Sequence, residues 1–128
     1  MSEHQEQAAL IDWAKLYEPQ YPELGLLFAV PNGAKLPYIK GANGKRYSPE
    51  AMKLKAEGLR SGVPDLVLPC ARNGWHGLFI ELKYRDNTPS VFQASWLDRL
   101  TEQGYLAVAC WGWTEARDVI VEYLGMQI

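Results

Sequence analysis

At 128 residues the chain has room for one domain with a substantial core, and needs neither metal nor disulfide to hold it together. Apolar residues make up 48% and charged residues 22%, a globular composition that excludes disordered and fibrous classes. No apolar run is long enough to span a membrane, the start MSEHQEQ is unlike a signal peptide, and a cytoplasmic protein is expected.

In chain order, residues 3–17 predict an amphipathic helix. Glu3, Gln7, Leu10, Ala14 and Tyr17 recur at three- and four-residue steps, with Glu6 and Trp13 flanking the stripe. Pro19 and Pro22 end it, residues 26–30 read as a short apolar strand, and Pro31-Asn32-Gly33 as a turn. Residues 34–48 show no period and read as a loop. Ser48-Pro49-Glu50 then starts a small helix that stops near Gly58. Residues 65–68 and 78–83 are apolar runs of strand length around Asn73-Gly74, which predicts an antiparallel hairpin. Thr88-Pro89 opens a helix to Glu102, residues 105–111 form a strand, and residues 114–124 a last helix. The strand–helix–strand passage suits a right-handed crossover between parallel strands. The predicted fold is α/β, one domain, a four-stranded mixed sheet flanked by helices.

The formal charge of −2 is unevenly divided. Residues 35–60 carry +5, from Lys35, Lys40, Lys45, Arg46, Lys53, Lys55 and Arg60 against Glu50 and Glu57, while residues 1–34 carry −4 and residues 61–128 carry −3. Such a segment suits phosphates, with Lys35, Lys53, Lys55 and Arg60 as candidate contacts, and equally suits a solvated loop. Cys70 and Cys110 have no CxxC spacing and read as small apolar packing residues, and His4 and His76 as surface or turn residues. Asn32 and Lys35 fit a DNA contact or a plain turn, and Trp111-Gly112-Trp113 fits strand-end packing or stacking on a base.

The chemistry concentrates on the hairpin. A turn centred on Asn73-Gly74 places Asp65 across from Leu82, beside Glu81, and Glu81 and Lys83 share a face. At about 4 Å and an effective dielectric of about 20, two carboxylates repel by roughly 4 kcal/mol, so a cation is needed between or beside them. Oxygen donors with no His or Cys at hand favour Mg2+ or Mn2+. Bare D-x15-E-x-K spacing fits a cross-strand salt bridge as readily. The apolar neighbours Leu66, Val67, Leu68, Phe79, Ile80 and Leu82 weigh against one. Gln93 interrupts the apolar stripe of Trp96, Leu97 and Leu100, and Glu3, Glu6 and Gln7 occupy the equivalent start of the first helix.

The runs G-V-P-D-L at 62–66, G-L-F-I-E-L-K at 77–83 and S-x-x-Q-x-x-W-L at 90–97 resemble the virus-type replication-repair nuclease (VRR-NUC) family of the PD-(D/E)xK nuclease superfamily. The similarity extends to E-H-x-x-Q at 3–7, A-V-P-N-G at 29–33, L-K-A-E-G at 54–58 and G-Y-x-x-x-x-x-x-G-W-x-E-A at 104–116. Only residues 36–51 have no counterpart. The resemblance implies Asp65 and Glu81 as metal-binding acids, Lys83 as the catalytic lysine, Gln93 as the glutamine that follows, and Glu3 as the first-helix metal acid, with Glu6 competing for that role. It also implies a Mg2+- or Mn2+-dependent DNA endonuclease of the stand-alone phage or bacterial type. Such a nuclease is expected to leave 5′-phosphates and to act as a homodimer on four-way (Holliday) junctions or other branched DNA. A flap, single-strand or restriction-type nuclease needing a partner, and a non-catalytic DNA-binding module, remain as alternatives.

Overall fold

Ser2 starts the first helix, α1 (Glu3–Tyr17), with a capping box: its hydroxyl accepts the Gln5 amide while the Gln5 side chain accepts the Ser2 N–H. The computed structural model describes residues 1–31 and 36–128. They fall into two compact units, Met1–Val30 with Gly62–Ile128, and Pro31–Ser61.

In the first unit a single 3-10 turn, Pro22–Leu26, intervenes after α1, so the strand expected from residue 26 is shorter: β1 (Phe28–Ala29). Proline at the start of that turn and the local bond from the Leu27 amide to the Leu24 carbonyl hold the chain away from the sheet until Phe28. The sheet runs β1-β4-β5-β6, where β4 is Leu66–Leu68, β5 is Leu78–Lys83 and β6 is Leu106–Trp111. β1 and β5 are antiparallel to β4, and β6 is parallel to β5 through the crossover helix α3 (Val91–Glu102). The mixed sheet expected from the pattern is therefore present. Alternation does the rest. Leu66, Leu68, Leu78, Ile80, Leu82 and Cys110 turn to one face and pack with Leu10, Trp13 and Ala14 of α1 and Ala116, Ile120 and Tyr123 of α4 (Trp113–Leu124). Odd-numbered residues of β5 face the other way, toward α3.

The hairpin register differs from the expected one by a residue. Arg72 and Trp75 do bridge around Asn73-Gly74, whose φ angles of +54° and +83° suit a two-residue hairpin turn. Between that bridge and the Leu68↔Leu78 pair, however, lie Pro69, Cys70 and Ala71 on one strand and only His76 and Gly77 on the other. The extra residue is gathered at Pro69, where the Cys70 amide bonds back to the Leu68 carbonyl at 2.9 Å. The Tyr123 hydroxyl secures the Cys70 carbonyl at 2.6 Å. The ladder then pairs Leu66 with Ile80, and one step further Asp65 comes level with Glu81 instead of Leu82. A one-residue shift exchanges faces. With the turn alone setting the register, Asp65 would have pointed into the leucine core.

The second unit contains a hairpin, β2 (Ile39–Lys40) and β3 (Arg46–Tyr47), where a loop was expected, and then α2 (Pro49–Ala56). Two-residue strands are too short to show a period, so the pattern was invisible in the sequence. The turn is closed by the Gly44 amide on the Gly41 carbonyl and by the Gly41 amide on the Lys45 carbonyl. Asn43 Oδ1 also accepts the Lys45 amide at 3.0 Å. Lys40 stands directly opposite Arg46, a like-charge pairing that costs a few tenths of a kcal/mol. Ser48 is buried and caps α2 by accepting the Ala51 amide, as Ser48-Pro49 predicts.

Candidate active site

Three charged side chains lie buried on the α3 face of the sheet: Glu81 is 2% exposed, Asp65 5% and Lys83 9%. On β6 the residues beside them include Ala109 opposite Glu81, a small side chain that leaves room on this face. The Asp65 carboxylate is fixed by its Oδ2, which accepts the Leu82 amide at 2.7 Å. Lys83 Nζ lies 3.6 Å from Glu81 Oε2 and donates to Gln93 Oε1 at 2.7 Å. Asp65, Glu81, Lys83 and Gln93, four residues singled out from the sequence, are thus brought together.

Burial pushes the Glu81 carboxyl up to about 8; the charge and hydrogen bond of Asp65 push the same way, and Lys83 opposes them. Glu81 therefore favours its protonated form near neutral pH. Glu81 Oε1 is buried without a hydrogen-bond partner among the described residues. Leaving such an atom unmade costs about 1–3 kcal/mol or more when charged. The donor set fits Mg2+ or Mn2+: two carboxylates, one with an unpartnered oxygen, and no His or Cys beside them. No cluster of three His, Cys, Asp or Glu side chains is found among the described residues, so the structure does not bring Glu3 in as a third ligand. Mg2+ is commonly held by one or two carboxylates, with water and substrate phosphate filling its other positions.

The sign of the pH effect follows. The carboxyl has an ordinary value of 4.5 and a folded value of about 8. Its proton stabilises the fold fully below the lower value, and that contribution is lost as pH rises through the upper one. Melting of the metal-free protein is expected to fall by several degrees from about pH 5 to about pH 9 on this account, and added Mg2+ to raise it more at the alkaline end.

Gln93 does two things. It is the third residue of α3, whose cap is Ser90 and not Thr88-Pro89 as the sequence suggested. The Ser90 hydroxyl accepts the Gln93 amide at 3.2 Å, and Gln93 Oε1 accepts the Ser90 N–H at 2.9 Å. The same Oε1 holds Lys83, so one oxygen ties the helix start to the lysine ammonium. The S-x-x-Q spacing of a capping box was the signal that could have placed the helix start.

Gly62 supports this turn from below, a role sequence reasoning missed. It adopts φ +89°, and a Cβ there would meet the carbonyl carbon of Phe92 at 2.7 Å and its Cβ and oxygen at 2.9 Å. Gly62→Ala is expected to cost about 1–3 kcal/mol through backbone strain. Because the obstacle is the backbone next to Gln93, cleavage by the folded variant should also fall on the order of a hundredfold, measured well below its melting temperature.

Glu6 is committed elsewhere. Its Oε2 accepts the Trp113 amide at 2.6 Å, at the start of α4, where Gly112 offers no capping side chain. Glu3 is half-buried in the same first turn of α1. Lys53, Lys55 and Arg60 are exposed in the other unit, and Lys35 and Asn32 lie outside the described residues. Both cysteines are buried and free, as expected of packing residues. His76 packs edge-on against Tyr105, and Trp111 Nε1 donates to the Asn87 carbonyl. No helix among the described residues is long and apolar enough to cross a membrane.

The VRR-NUC domain model matches residues 1–113, which include every residue of the cluster. A solved structure described as a VRR_NUC domain protein is similar over 98% of this chain and 90% of its own, with a TM-score of 0.75 and 26% identity. No curated protein matches the chain at a significant level. The domain match spans most of the chain and the neighbour shares its fold, and the chain belongs to the VRR-NUC family of nuclease domains.

Proposed function

We propose that the protein is a Mg2+- or Mn2+-dependent DNA endonuclease whose active site is Asp65, Glu81, Lys83 and Gln93. One observation carries this reading: a buried carboxylate pair with an unpartnered Glu81 oxygen, beside a buried lysine. Two buried acids would otherwise be a net burden on the fold. Asp65 and Glu81 would hold the cation, with water and substrate phosphate completing its shell. A bound divalent ion supplies Lewis-acid polarisation of the scissile phosphodiester and neutralises the carboxylates as phosphate approaches.

The chain's own groups do the remainder. Gln93 Oε1 accepts from Lys83 Nζ and sets its direction. The ammonium, with further donor capacity, orients the attacking water and stabilises negative charge as it builds on the phosphoryl oxygens. Leu82 N–H keeps the Asp65 carboxylate in place throughout. The low polarity of the site, walled by β-strand residues on one side and α3 on the other, strengthens each of these interactions.

On the substrate, we propose a homodimer selective for branched DNA, with four-way junctions cut by two symmetric nicks. A single copy of this length offers little surface for grasping a junction, and two-fold symmetry matches the substrate's own. The panel that tests it sets a four-way junction against linear duplex and flap with Mg2+, alongside the protein's mass in solution. Junction cutting by a species of twice the chain mass is expected. Equal cutting of all three removes junction selectivity, and flap preference moves the reading to a flap nuclease.

A further inference from the structure

The charge of the molecule is segregated by unit: residues 31–61 carry +5, and the remainder of the chain −7. The unit that holds the carboxylate pair is thus poorly suited to attract a polyanion. Within the basic unit the hairpin of residues 39–47 has features a solvated loop does not need. Between residues 36 and 49 there is no acidic residue at all. Lys40, Lys45 and Arg46 are exposed, and none of them has an acidic partner among the described residues. Lys40 and Arg46 face each other across the ribbon, against their mutual repulsion.

The ribbon is also stiffened. An added Cβ on Gly41 would lie 3.1 Å from the Tyr47 ring, so that ring lies across the bare glycine of the opposite strand. Lys45, Arg46, Tyr47 and Met52, with Gly41, Ala42 and Asn43, line a recess of about 520 Å³ at the turn end of the ribbon. Lys40 and Arg46 alternate to the opposite face from Tyr47, so cations project on both faces of a narrow two-stranded ribbon. A ribbon of this width fits a groove of duplex DNA, with its lysines and arginine reaching phosphates on either wall.

We propose that the residue 39–47 hairpin is a duplex-DNA-holding arm, with Lys40, Lys45 and Arg46 contacting phosphates without reading sequence. It rests on the nuclease reading only for the choice of DNA as the polyanion. The test is fluorescence anisotropy on labelled duplex in EDTA across a salt series, with wild type, a Lys40→Ala/Lys45→Ala/Arg46→Ala variant, and a Lys15→Ala/Arg99→Ala control. The triple variant is expected to bind at least about tenfold more weakly, with a salt slope shallower by about 2–3, near 0.9 per lost phosphate contact. The control should keep the wild-type slope. An unchanged slope in the triple variant, or no duplex binding by wild type, overturns the proposal. Hydrolysis of bis(p-nitrophenyl) phosphate with Mg2+, which needs no arm, should be the same in wild type and triple variant. A wild type that binds duplex with the expected slope but hydrolyses neither DNA nor this diester contradicts the nuclease reading and leaves the arm intact.

Discussion

Glu81→Gln is expected to abolish Mg2+-dependent cleavage, by about a thousandfold or more, while making the metal-free protein more stable at alkaline pH. The substitution keeps the shape of the side chain and removes its charge. Above pH 8 the wild-type fold must hold an ionised Glu81 beside Asp65, buried and with one oxygen unpartnered. The amide variant escapes that cost. Its melting temperature should exceed wild type by roughly 5 °C at about pH 9, the size of shift that about 1–2 kcal/mol produces in a chain of this length. Near pH 5 wild-type Glu81 carries its proton, so the two proteins should melt much closer together. Melting curves without metal, paired with cleavage rates, separate this pattern from simple damage to the fold. A residue kept only for structure would lose stability and activity together.

Lys83→Met should remove cleavage by about a hundredfold to ten-thousandfold with the fold intact and divalent-ion binding retained. Methionine keeps the apolar stem that packs along β5 and deletes the ammonium, leaving Gln93 Oε1 bonded only to the Ser90 amide. A second effect has a definite sign. The lysine charge now lowers the Glu81 carboxyl against burial and Asp65, so its loss drives that carboxyl further up. Residual activity in the variant should therefore peak at higher pH than in wild type. Rates on one substrate from about pH 7 to about pH 10, with Mn2+ titrations at each end, check both points. A variant that cuts like wild type would remove Lys83 from the mechanism.

Much of this site was legible before the structure, because long periodic segments and strong turn residues dominate it. The residues 3–17 helix, ended by Pro19 and Pro22, and the 78–83 strand coincide with α1 and β5. Gln93 on the stripe of Trp96, Leu97 and Leu100 does face the sheet. What was not legible depends on packing or on local bonds that leave no period. The face on which Asp65 sits is set by one extra residue at Pro69 and by the Tyr123 hydroxyl, 53 positions away, which holds Cys70 there. Asn73-Gly74 alone points to the other face. Glu6 and Glu3 share a stripe and cannot be told apart by spacing; that Glu6 accepts the Trp113 amide, 107 positions on, appears only in the fold. The need for glycine at position 62 appears only once the Phe92 backbone is in place against it. The 39–47 hairpin has strands too short for any pattern to show.

The most direct test of the central claim, that Asp65 and Glu81 form one divalent-cation site, is calorimetric titration of Mn2+ into wild type, Asp65→Asn and Glu81→Gln at about pH 8.5, where the Glu81 proton no longer competes strongly. Saturable binding to wild type is expected, with loss of that heat in both variants. Equal Mn2+ binding by all three proteins would contradict it.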